Sequence, residues 1–112
     1  MAVNTTRRNK VRLYVPSKDR HGKRISNRKV AAAAERLFSR CFGGCTCFAA
    51  RGVYSSETGT LIKERIRIVE SSCTDNELAQ HLPDVRAFAE QMKSKLRQEA
   101  VALEINNRLE FV

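Results

Sequence analysis

The chain has 112 residues, 42% of them hydrophobic, and a formal net charge of +9. That length suits one domain able to bury roughly 65% of its unfolded surface, so no metal or disulfide staple is required for folding. No apolar run approaches the roughly 20 residues of a membrane span, and MAVNTTRRNK lacks the apolar stretch of a secretory signal, so a cytoplasmic protein is expected.

Residues 1–9 are polar and basic without a period and read as a flexible arm, ahead of a single α+β domain over 10–112. KVRLYVP alternates, with Val11, Leu13 and Val15 on one side and Arg12 and Tyr14 on the other, which predicts a strand ending at Pro16. SKDRHGKRIS is a charged loop with a glycine turn, and Ser26 is placed to cap a helix. Val30, Ala33 or Ala34, Leu37, Phe38 and Cys41 then recur at helical spacing. Gly43 and Gly44 follow where a left-handed C-cap belongs.

CTCFAARGVY and LIKERIRIVE flank SSETGT and predict a hairpin. Pairing Tyr54 with Leu61 sets Arg51 opposite Glu64, on the face holding Cys45, Cys47, Ala49, Val53, Ile62, Ile66 and Ile68. The other face then carries Phe48, Tyr54, Leu61 and Val69. Thr74 to Glu77 form a Thr-x-x-Glu capping box, with a short turn expected before Pro83 and the main helix from it. Leu78, Leu82, Val85, Phe88 or Ala89, Met92 and Leu96 supply the buried stripe. AVALEI is a last core strand, Asn106-Asn107 a tight turn, and RLEFV a short edge strand. The order β-α-β-β-α-β, with a possible fifth strand, is the ferredoxin-like plait: an antiparallel sheet with both helices on one face.

The run FGGCTCFAARGVYSSETGTLIKERIRI resembles a family of small uncharacterised proteins often carried by bacteriophages and other mobile elements. Its recurring residues stand here as Gly43, Gly44, Thr46, Phe48, Gly52, Tyr54, Gly59 and Glu64. QEAVALEI resembles the same family's last helix–strand junction. The resemblance implies the plait and carries no established reaction.

Three groups of residues bear on chemistry. Residues 1–40 hold twelve Lys or Arg and two acids, and the remaining 72 residues carry a net −1. This asymmetry points to an anionic partner, with Arg7, Arg8, Lys10, Arg20, Lys23, Arg24, Arg28, Lys29, Arg36 and Arg40 as its contacts, although no base-reading motif is visible. Cys41, Cys45, Cys47 and Cys73 suit core packing; their spacing is poor for zinc, and redox chemistry is the remaining choice. No cofactor or metal is expected. Gly43-Gly44 follows a helix, whereas phosphate-binding glycines precede one. Arg51 and Glu64 are either a cross-strand ion pair or, with Tyr54, a polar site in which Glu64 acts as acid or base. His21 and His81 read as solvated.

The preferred expectation is a small non-enzymatic module binding nucleic acid or another polyanion. The alternatives are an oligomeric protein sequestering a small nucleotide or a protein, and an enzyme centred on Glu64. Phe48, Tyr54, Leu61 and Val69 are the expected interface of a homo-oligomer, because the open sheet face would expose them.

Overall fold

Strands form where apolar and polar residues alternate, and helices where apolar residues return every third or fourth position. The computed structural model describes residues 6–112 and runs β1 (Asn9–Val15), α1 (Arg28–Phe42), β2 (Thr46–Ser55), β3 (Leu61–Cys73), α2 (Asp75–Lys95), β4 (Ala102–Ile105) and β5 (Arg108–Phe111). The strands make one antiparallel sheet in the order β2-β3-β1-β4-β5. This is the expected ferredoxin-like plait, with the fifth strand present. On one sheet face Val11, Leu13, Val15, Val69 and Leu103 pack with Ala34, Leu37, Phe38 and Phe42 of α1 and with Val85, Ala89 and Met92 of α2. Among the described residues no helix lies over the other face. Among the described residues no helix is long and apolar enough to cross a membrane.

The caps follow local chemistry. Gly43 has φ 85° and its N–H donates to the Ser39 carbonyl at 2.9 Å, so CFGG is a helix stop ahead of a strand. Thr74 Oγ1 accepts from Glu77 N at 3.1 Å, and Glu77 Oε1 accepts from Thr74 N at 2.9 Å, completing the expected capping box. Asn106 and Asn107, at φ 52° and 67°, make the two-residue turn between β4 and β5.

Several expectations are corrected. Ser26 does not cap α1: the N-cap is Asn27, whose Nδ2 donates to Pro16 O at 3.1 Å and so ties the helix start to the end of β1. Pro83 lies inside a continuous α2, because the box holds the first turns while Val85, Ala89 and Met92 bury the later ones. The hairpin register is shifted by one residue. Ser55 pairs with Leu61, which sets Arg51 opposite Arg65 and Gly52 opposite Glu64. Paired residues share a face. Arg51 and Glu64 therefore lie on opposite faces, and Val69 turns into the core at 0% exposure.

Of the arm expected over 1–9, residues 1–5 lie outside the described residues. Asn9 already belongs to β1. Arg7 Nη1 donates to Phe42 O at 3.1 Å and Glu77 Oε1 at 2.9 Å, and Arg8 forks onto Asp75 at 3.1 and 2.5 Å.

These contacts set an acid limit. Asp75 is held below its ordinary 3.8 by hydrogen bonds from Arg8 first and Asn9 next, and Glu77 below 4.5 chiefly by the Thr74 backbone N–H. A lowered folded-state value stabilises the fold above the unfolded value, and that contribution is lost as pH falls through the folded one. The melting temperature should hold above about pH 5 and decline below about pH 4, and Asp75→Asn with Glu77→Gln should flatten the decline. An unchanged acid limb in the double variant would assign it to other carboxylates.

Candidate functional site

The open sheet face carries charges that only strand pairing brings together. Thr46 pairs with Glu70, Glu70 with Arg12, Arg12 with Glu104 and Glu104 with Leu109. Residues so paired form one row across all five strands, carrying minus, plus and minus at its centre. Arg12 bonds Glu70 Oε2 at 2.8 Å through Nε and 2.6 Å through Nη2, with side chains 27% and 19% exposed. Tyr14 Oη donates to Glu104 Oε1 at 2.7 Å. Burial first, and then the Glu104 hydrogen bond, raise the tyrosine above its ordinary 10.0, so it remains a neutral donor. The next row holds Phe48, Ile68 and Tyr14, so an apolar strip borders the charged one. Lys10 lies at the row's other flank, paired with Ser72.

This cluster is absent from the sequence reading. Arg12 and Tyr14 are visible there as the polar side of β1. Their partners stand at least 58 residues away, at Glu70 and Glu104. The available signal is a charged residue on each of three strands whose alternate positions are core.

The residues singled out from sequence gather elsewhere. Arg51 and Glu64 both line a groove of about 680 Å³ beside the β2–β3 hairpin, together with Lys18, Arg24, Lys63, Arg65 and Arg67. They are not an ion pair. Glu64 Oε2 accepts from the backbone N–H groups of Ser17 and Lys18 at 3.1 and 3.0 Å, which fixes the loop after β1. Tyr54 stands on the open face, its ring over Gly52, where a Cβ would come within 3.1 Å of the ring. Phe48 and Tyr54 are 38% and 44% exposed on that face. Leu61, 60% exposed, and buried Val69 share the opposite side by register, which corrects the four-residue interface.

The ten expected anion contacts are distributed over several elements, with Lys10 on β1. Arg7 and Arg8 serve the start of α2. Arg20, Lys23 and Arg24 belong to the loop after β1, where Arg20 Nε reaches His21 at 3.4 Å. Arg28, Lys29, Arg36 and Arg40 are exposed on α1. Among the described residues the four cysteines do not meet as a metal-sized group. Burial foremost pushes the thiols of Cys41, Cys47 and Cys73 up, which suits packing rather than nucleophilic attack. His81 is only partly exposed, and its Nδ1 lies 3.1 Å from Asp84 Oδ2, correcting the solvated reading.

No family model matches the chain, and no curated protein matches it. Solved structures share its fold, among them two of a phage SAM lyase. A phage SAM lyase in complex with S-methyl-5'-thioadenosine is similar with a TM-score of 0.67 and 16% identity, over 93% of this chain and 88% of that one. A phage SAM lyase in the apo state is similar with a TM-score of 0.68 and 18% identity, over 100% of this chain and 94% of that one. This finding overturns the non-enzymatic nucleic-acid module: the neighbours are an enzyme, and one holds a small nucleoside.

Proposed function

We propose that this chain is an enzyme that binds and cleaves an adenosyl sulfonium, with S-adenosylmethionine (SAM) as its substrate, on the open sheet face. The observation that carries this reading is the fold shared over nearly the whole chain with a phage SAM lyase. The charge order of the site supports it. The aminobutyryl end of SAM carries sulfonium, carboxylate and ammonium, plus, minus and plus, which complements Glu70, Arg12 and Glu104.

The proposed chemistry needs no nucleophile from the protein. The bond from sulfur to the aminobutyryl Cγ breaks heterolytically and its electron pair stays on sulfur. S-methyl-5'-thioadenosine leaves as a neutral thioether. Cγ is captured by the substrate's own carboxylate, closing a lactone, or a neighbouring C–H proton passes to a glutamate and an alkene forms. Either route disperses the sulfonium charge, which the apolar strip of Phe48 and Ile68 favours by excluding water. A flat face does not enclose a ligand. Leu109 and Phe111, 54% and 70% exposed at its edge, suit closure by a second copy of the chain.

The test incubates the purified protein with SAM and follows S-methyl-5'-thioadenosine by liquid chromatography and mass spectrometry against the spontaneous rate. Release above that rate is expected, from an oligomer by light scattering, with Leu109→Glu plus Phe111→Glu giving an inactive monomer. A monomeric wild type would refute closure by a second copy. SAM left intact, with no heat of binding by calorimetry, would refute the function.

A further inference from the structure

We propose that Cys41, His81 and Asp84 form a binding site for a divalent transition-metal ion, zinc by their chemistry, bridging α1 and α2. The site lies in the helix layer, on the other side of the sheet from the charged row, and stands independently of the function proposed for that face.

Each residue is placed by its helix. Cys41 ends the buried stripe of α1 and is 7% exposed. His81 and Asp84, three residues apart on α2, present side chains from one face of that helix. One ligand atom from each of the three lies within 4.8 Å of the other two. Zinc bonds of about 2.0–2.3 Å place tetrahedral ligands about 3.3–3.8 Å apart, so small rotamer shifts complete the set. The imidazole is already oriented: its ring meets Phe42 edge-on, with centroids 6.1 Å apart and planes at 89°. The trio opens on a cleft of about 480 Å³ that Arg40 also lines, which gives an ion a way in and leaves a fourth position for water.

The donor set selects the metal. One thiolate, one imidazole and one carboxylate suit a borderline cation better than magnesium or calcium, which prefer oxygen. Thiolate and carboxylate together neutralise a dication. The Cys41 thiol gives up its proton on binding, so one proton leaves as one sulfur–metal bond forms. The trio escapes a reading by spacing, since Cys41 and His81 stand forty residues apart on different helices.

Cobalt(II) reports on such a site directly. Titrated into the reduced full-length protein, it should saturate at one equivalent with tetrahedral d–d absorption and a thiolate-to-cobalt charge-transfer band, both removed by zinc. Cys41→Ser should lose the charge-transfer band. His81→Gln and Asp84→Asn should each weaken zinc at least tenfold against a chromophoric chelator. Asp84, 57% exposed, can change without disturbing the core, so this arm stands even if Cys41→Ser does not fold. The absence of saturable cobalt binding by the wild type overturns the proposal. So does wild-type affinity and spectrum in the double variant His81→Gln, Asp84→Asn.

Discussion

Glu70→Gln and Glu104→Gln are each expected to lower kcat/KM for SAM cleavage by about 100-fold, or about 2.7 kcal/mol of transition-state stabilisation. Glutamine keeps the shape and removes only the charge. Glu70 is only 19% exposed, so its field is weakly screened. Losing either glutamate takes the centre of the row from a net −1 to neutral and removes its attraction for a cationic substrate. A loss confined to KM would assign the glutamate to ground-state binding, and a loss in kcat to the reacting centre. Tyr14→Phe should cost about tenfold, since it removes only the hydroxyl that holds Glu104. Glu64→Gln should leave kcat/KM within about twofold, because its carboxylate is occupied by the Ser17 and Lys18 amides. If instead Glu64→Gln is inactive and both row variants keep full rate, the site belongs in the groove beside the hairpin.

The second large effect concerns the register. Val69→Glu should unfold the protein or lower its stability by at least about 3 kcal/mol, against a total of roughly 5–15 kcal/mol for a small domain. Val69 is 0% exposed and faces Leu13 of β1 and Cys47 of β2, so a carboxylate there meets no partner. Leu61→Glu, on the same strand and side but 60% exposed beyond the helices, should change stability by no more than about 0.5 kcal/mol. Urea unfolding followed by circular dichroism distinguishes them. Equal stability for the two variants would return Val69 to the open face and restore the register read from sequence.

That register was illegible for a physical reason. A buried face specifies pairing strongly, because a one-residue slip inverts every side chain. Most of β2 and the first half of β3 are exposed on both faces, so either register leaves an acceptable alternation. The turn decides instead. Ser56 N donates to Thr60 O at 2.8 Å, Gly59 N to Ser56 O at 3.0 Å, and Thr60 N to Ser56 Oγ at 3.1 Å, which closes a loop over 56–60 and pairs Ser55 with Leu61. Where burial was one-sided, as in β1, or caps were explicit, as at Gly43, Thr74 and Asn106-Asn107, local chemistry made the elements legible. Pro83 does not break α2, because the loss of one helical hydrogen bond is outweighed by the packing of the residues beyond it. The charged row needed long-range pairing of β1 with both β3 and β4, which no local pattern reports.

Strand order also bears on how the protein is made. Of the five strands β1 is synthesised first, and it sits mid-sheet, with Val11 pairing with Ser71 on one side and Ile105 on the other. At about 5–20 residues per second, on the order of 5–20 s pass between the synthesis of Val11 and that of its last partner, Ile105. Meanwhile VRLYV is an apolar segment with bare hydrogen-bonding edges, the kind that recruits other chains. Glu104 joins Arg12 only with the last of the three strands, so a growing chain has no complete row with which to engage the proposed substrate.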